Sequence, residues 1–265
     1  MTGADSHRYV LVEDRGPVRI LTLNEPERMN PIGDGLRHQL LEALIEAGSN
    51  ASVRALVLTG AGGQFSAGAD VKQMQASTGP DPLRSKRRMK VLHDVIRALA
   101  AGPKPVVAAT EGVAFGAGLS VLCACDWIVA GEGARFGGAF GRIGLAADCG
   151  ILWSLPPRIG AVRTRDLLFT GRSVKAPEAA ELGLCDELVG AGQALDRAIA
   201  KAESYLDTAP LSIASIKAAM AELPGDLERV LGIETHQQPM MSMTADHKEA
   251  RAAFAEKRKP HFSGR

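Results

Sequence analysis

Phe65-Ser66-Ala67-Gly68-Ala69-Asp70 and Gly112-Val113-Ala114-Phe115-Gly116-Ala117-Gly118 are the two stretches whose reading decides the fold. Each is a turn of small residues that follows an apolar run of β character, Val53–Leu58 for the first and Pro105–Ala109 for the second, and each leads toward a helical pattern. Small residues on tight turns let another molecule approach the backbone closely. Together the two turns, around Ala69 and Ala117, look like a place for two backbone N–H donors aimed at an oxygen that gains negative charge, an oxyanion hole.

Working outward, the chain alternates strand and helix on either side of these turns. Tyr9–Glu13 and Val18–Leu23 are β-rich with turn chemistry in Asp14-Arg15-Gly16 between them, which predicts a hairpin. Pro31–Ser49 predicts a helix with Leu36, Leu40, Leu41, Leu44 and Ile45 on one face and Arg37, Glu42 and Glu46 outside it. A second helix is expected over Leu83–Ala101. Strands alternating with helices imply parallel pairing through crossovers.

After Val129 the character changes, with Leu184–Val189 the main remaining strand candidate and helical patterns cut by Pro156-Pro157, Gly171, Pro177 and Pro224-Gly225. The organisation expected is an α/β core over residues 1–190 and a helical region over 191–265. Met240-Met241-Ser242-Met243 at the entry to the tail reads either as core packing or as a subunit contact.

Composition excludes several classes. The 265 residues are 46% hydrophobic, enough for a full core, and carry a net charge of +1, which offers nothing to nucleic acid or an anionic membrane. Arg84, Lys86, Arg87, Arg88 and Lys90 cluster after a Ser/Gly/Pro-containing stretch, as a solvated helix face or a phosphate-contacting patch. Cys123, Cys125, Cys149 and Cys185 show no metal-ligand spacing, so a reduced cytoplasmic protein without a metal is expected. Met1–His7 is polar and shows no secretory pattern, and the apolar region Val113–Ala130 is broken by Ser120 and Asp126, which suits core rather than a membrane span.

Further motifs identify a family. Leu21-Thr22-Leu23-Asn24, Arg28-Met29-Asn30-Pro31, the Phe65–Val71 turn, the block from Lys104 through Asp126, Leu168-Phe169-Thr170-Gly171, Ala179–Leu184 and Ala253–Pro260 occur in the order and spacing of the enoyl-CoA hydratase/isomerase, or crotonase, superfamily, which the chain resembles over nearly its whole length. The resemblance implies a crotonase-like spiral of ββα units and a C-terminal helical region that mediates trimerisation, with a homotrimer or a dimer of trimers. It implies an acyl-CoA substrate, with coenzyme A part of the substrate and no separate cofactor. By motif position Ala69 and Ala117 become the oxyanion donors, and Ala67, Gly68, Asp70, Val71 and Gly116 belong to the substrate-binding turns. Ala67 would meet the adenine, Arg28 the pyrophosphate or pantetheine, and Lys257 a phosphate across a subunit boundary.

The resemblance also shows what is missing. The family's hydratases use two glutamates, and those positions here hold Ser120 and Phe140, neither of which serves as a carboxylate base. Phe140 then becomes part of an apolar pocket and Ser120 a small polar residue in it. The segment Phe140–Gly150 resembles that of the ring-enlarging isomerases of phenylacetate degradation and the dienoyl-CoA isomerases, whose Gly-Leu-x-x-Asp arrangement places Asp148 as a single acid/base. A helix cap before Cys149-Gly150-Ile151 is the alternative role for Asp148. By its family counterpart Asp126 is expected to satisfy backbone groups where helix meets strand, and Glu111, beside the second turn, is expected as a solvated turn residue rather than a pocket carboxylate. The activities implied are an enoyl-CoA isomerase or, with a different water-positioning set, a hydratase. A hydrolase of a cyclic CoA ester and a silent acyl-CoA binder are the remaining alternatives.

Overall fold

The computed structural model describes residues 7–70, 82–223 and 227–265. Val71, most of the segment that follows it and the Pro224-Gly225 break lie outside the described residues. The strands are β1 (Val10–Arg15), β2 (Val18–Leu23), β3 (Ala55–Gly60), β4 (Val106–Thr110), β5 (Val113–Phe115), β6 (Trp127–Gly131), β7 (Arg135–Gly137), β8 (Ser173–Lys175) and β9 (Glu187–Val189). The helices are α1 (Asp34–Ser49), α2 (Pro82–Ala101), α3 (Ala117–Cys123), α4 (Ile151–Ser154), α5 (Pro156–Ile159), α6 (Ala161–Thr170), α7 (Ala176–Leu182), α8 (Ala194–Ser204), α9 (Pro210–Met220), α10 (Leu227–Ser242) and α11 (Ala245–Glu256).

β1 and β2 form the expected hairpin, but pairing runs on to Arg15 opposite Val18. The link is Gly16-Pro17 rather than Asp14–Gly16, because Gly16 at φ +58° supplies the left-handed corner alone. From β2 the main sheet grows by parallel addition in the order β1-β2-β3-β4-β6-β9. Its central strands read as continuous apolar runs because both faces are covered. Leu56, Leu58, Val106, Ala108 and Ile128 face the larger core with α1 and α2, whereas Val57, Val107, Ala109 and Val129 face Ala194, Ala198, Ile199 and Ala202 of α8. The helical region after β9 therefore begins by closing the second face of the sheet.

A second sheet, β5-β7-β8, runs beside the first. Isolated parallel bridges, Ser66 to Ala114 and Ile32 to Ala69, continue its line across the first glycine-rich turn. Successive windings thus pass from a main-sheet strand to a short second-sheet segment and then to a helix, which is the ββα spiral. The pattern sets both small-residue turns at the junction of second sheet and helix.

Two details of α1 differ from the sequence expectation. The helix starts at Asp34, because Ile32 is used in the bridge to Ala69. Its buried face carries Leu36, Leu40, Leu44 and also Arg37, which is 5% exposed and ion-paired with Asp34, whereas Ile45 is 61% exposed. The face is rotated toward the 37-40-44 row by packing against α2.

Candidate active site

The first turn is built by Ser66, whose side chain accepts the Gly68 N–H at 3.1 Å while its backbone pairs with Val113 and Phe115. Gly68 stands at φ +93°, and a Cβ there would lie 2.5 Å from the Phe115 carbonyl oxygen and 3.3 Å from the Ala117 nitrogen. Gly118 is pressed against Ser66 in the same way, with its Cβ direction 2.6 Å from the Ser66 carbonyl oxygen. Only glycine allows the two turns to meet at these points. Gly116, at φ +51°, turns the chain into α3 and donates to Gly137 at 2.9 Å. Among the described residues, the N–H groups of Ala69 and Ala117 have no protein acceptor. The turn pair inferred from the sequence is one contiguous structure.

Met29 and Asn30, both with positive φ, carry the preceding loop against this turn, where the Ala67 N–H bonds to the Met29 carbonyl at 2.8 Å. Arg28 stands there in ion pairs with Asp70 and with Glu25, the latter at 2.6 Å. Asp70 is 5% exposed, so its carboxylate serves to hold Arg28 at the turn. Lys257 ends α11 in the left-handed conformation, and among the described residues no hydrogen bond or ion pair joins it to the first turn. That helix is tied to the chain end instead, through Asp246 to the Ser263 and Gly264 N–H groups.

The second turn leads to Ser120 on α3, which is fully buried. Its hydroxyl donates to the main-chain carbonyl of Asp148 at 3.0 Å and lies 3.3 Å from the Gly116 carbonyl. Asp148 opens a tight turn closed by the Ile151 N–H, with Cys149 at φ +53° and Gly150 at φ +73°. Left-handed backbone is unusual for cysteine and costs of order 1 kcal/mol. One carboxylate oxygen of Asp148, Oδ1, is shielded from solvent with no hydrogen-bond partner. The Asp148 side chain, expected as acid/base or helix cap, does not cap α4, for which no side-chain cap bond exists.

Burial pushes the Cys149 thiol up, and the Asp148 carboxylate adds to this, while Arg88 and Arg37 act in the opposite sense. The charge of Arg37 predicts a position outside the helix face; the signal that locates it is its spacing of three and seven from Leu40 and Leu44. Phe140 is 6% exposed and packs in the larger core. Asp126 accepts from Val106 N–H at 2.7 Å and from Lys217, and Glu111 accepts the Gly192 and Ala194 N–H groups at the start of α8. Asp126 has the structural role expected of it, whereas Glu111, expected as a solvated turn residue, is instead held by the two N–H groups at the start of α8.

Comparison with known proteins agrees with this geometry. The enoyl-CoA hydratase/isomerase family model matches residues 13–265. A 1,2-epoxyphenylacetyl-CoA isomerase of Escherichia coli is 34% identical over 97% of this chain and 99% of its own length. An enoyl-CoA hydratase of Mycobacterium tuberculosis is 34% identical with both chains covered in full, 100% each. The crystal structure of an enoyl-CoA hydratase from a Polaromonas species superposes with a TM-score of 0.89 at 33% identity, covering 96% of this chain and 99% of that one. With its spiral, its paired turns and these relatives, the chain belongs to the enoyl-CoA hydratase/isomerase family and has the crotonase fold.

Proposed function

We propose that the protein is an enoyl-CoA isomerase that moves a double bond within an acyl-CoA thioester, with Asp148 as the single acid/base. The observation that carries this reading is the buried, unpartnered Oδ1 of Asp148, on a turn bonded through Ser120 to the helix that begins at Ala117. A shielded acceptor without a donor is uncommon in a folded protein and suits a group that collects a proton from substrate. Ser120 and Phe140 stand where a two-glutamate hydratase needs carboxylates, so the water-activating pair is not available.

In the reaction, the thioester oxygen rests on the Ala69 and Ala117 N–H groups. The Asp148 carboxylate takes a C2 proton from a 3-enoyl thioester, and the C–H electron pair flows toward that oxygen to give a dienolate. The protonated Asp148 returns the proton at C4, which leaves the 2-enoyl product and the original carboxylate. Arg28, Ala67 and the first turn hold the coenzyme A part of the substrate, and the shuttle calls for no metal or redox cofactor. Lys257 reaches the CoA phosphates only across a subunit boundary, in a homotrimer or dimer of trimers.

Several relatives carry hydratase names, among them those from Mycobacterium tuberculosis and Rhodobacter capsulatus, which favours hydration as the second reading. Separate incubations with a 3-enoyl-CoA and a 2-enoyl-CoA, followed by liquid chromatography and mass spectrometry, divide the two. Conversion of 3-enoyl to 2-enoyl at unchanged mass is expected, and Asp148→Asn should lower its rate by about 10²- to 10⁴-fold. Addition of one water to the 2-enoyl thioester would sustain the hydratase instead.

A further inference from the structure

We infer that Ser120 is a positioning residue for Asp148: its buried hydroxyl fixes the main-chain carbonyl from which the catalytic side chain projects, and so sets the base at a defined place relative to the oxyanion donor Ala117. The inference rests on the isomerase reading and goes beyond it, since a serine that replaces a hydratase carboxylate has otherwise no part in the chemistry.

The hydroxyl has one proton and two carbonyls within reach. Gly116 O already accepts the Ser120 N–H at 3.1 Å, and lies 3.3 Å from the hydroxyl. Asp148 O is nearer, at 3.0 Å, and among the described residues its one other donor is the Ile151 N–H at 3.3 Å, a long bond. The proton is therefore worth more on Asp148. Ser120 is 0% exposed, so no water replaces the bond if it is lost.

The carbonyl it holds belongs to the peptide that links Asp148 to Cys149, and Cys149 is at φ +53°. A non-glycine residue keeps that conformation only where its surroundings impose it. Holding this oxygen fixes ψ of Asp148 and with it the direction of the Asp148 side chain. Ser120 stands one helical turn after Ala117 on the same short helix, so a single rigid element carries both the donor for the thioester oxygen and the clamp on the base. Loss of the clamp lets the base drift, and a displacement on the order of 1 Å costs about 10²-fold in rate.

The test is a double-mutant cycle on the full-length enzyme with Ser120→Ala, Asp148→Asn and the combination. 3-Enoyl-CoA isomerisation is followed to long times by mass spectrometry, and affinity for the same thioester is measured by calorimetry. Ser120→Ala is expected to lower kcat by about 10- to 100-fold with KM and thioester affinity unchanged. In the Asp148→Asn background it is expected to have no further effect, because its role runs through that carboxylate. An equal fold-loss in both backgrounds, or an unchanged kcat for Ser120→Ala alone, would overturn the inference while leaving the isomerase reading in place. An Asp148→Asn enzyme with full activity would overturn the isomerase reading itself, and this inference with it. Should Ser120→Ala not fold, Ser120→Cys, of similar size with a weak donor, carries the same comparison.

Discussion

Gly68 shows how much of the site hangs on one residue without a side chain. Both Gly63 and Gly68 hold positive φ, at +69° and +93°, but a Cβ on Gly63 meets nothing within 4 Å whereas one on Gly68 runs into the Phe115 carbonyl at 2.5 Å. Strain is common to the two substitutions, and only one drives the turns apart. On the proposed function, Gly68→Ala is expected to lower kcat by about 10²-fold through displacement of the Ala69 and Ala117 N–H groups, while Gly63→Ala keeps kcat and loses on the order of 1 kcal/mol of stability; steady-state kinetics with thermal unfolding checks both. The turns themselves were legible because glycine and alanine at those spacings have few other uses. The Ser120 to Asp148 bond was not, since 28 residues separate its partners and nothing local announces it. Nor was the left-handed Cys149, a residue type with no leaning toward that conformation.

At the scale of elements, what the sequence revealed followed hydrophobic period, and what it concealed was short. β1 to β4 and α2 stand within a few residues of where the pattern predicts them, whereas β6 falls at the end of an apolar region whose period shows only core. β5, β7 and β8, three residues each, carry too little pattern to be seen, although they and the bridges at Ser66 and Ala69 position both turns. One junction does have a chemical signature, the Asp126 carboxylate between α3 and β6. Lys217 of α9, 7% exposed, donates to it and to the Leu99 and Lys104 carbonyls at 2.8 and 2.9 Å, so one ammonium ties α2, the strand entry and the later helices together. Burial raises the Asp126 carboxyl pKa, and the lysine opposes this. Lys217→Met would leave a carboxylate and two carbonyls without their shared donor. The expected loss is about 3 kcal/mol, at the low end for a broken buried pair because the Asp126 side chain keeps 28% exposure, and denaturant unfolding measures it.

Taken as a whole molecule, the chain leaves apolar surface that its own core does not claim. Phe254 is 88% exposed, Met243 86%, Met240 66% and Met220 61%, all after residue 210, and Phe169 and Val162 stand similarly open on α6. Scattered exposed apolar residues are ordinary, but large side chains gathered on terminal helices exceed what a lone soluble domain displays without use. Among the described residues no helix is long and apolar enough to cross a membrane. The same region holds Lys257, which among the described residues no hydrogen bond or ion pair brings to the first turn. Both facts have one explanation if copies of the chain cover this surface and the helix of one reaches the substrate of another. The expected mass by light scattering is that of three or six chains of 27.9 kDa. Met243→Glu with Phe254→Glu would place two carboxylates in the area that such copies cover, where burial without a partner is costly, and is then expected to yield monomers with weakened affinity for the thioester. A monomeric wild-type protein with full affinity would show instead that the CoA site is complete in one chain and that these residues serve another contact.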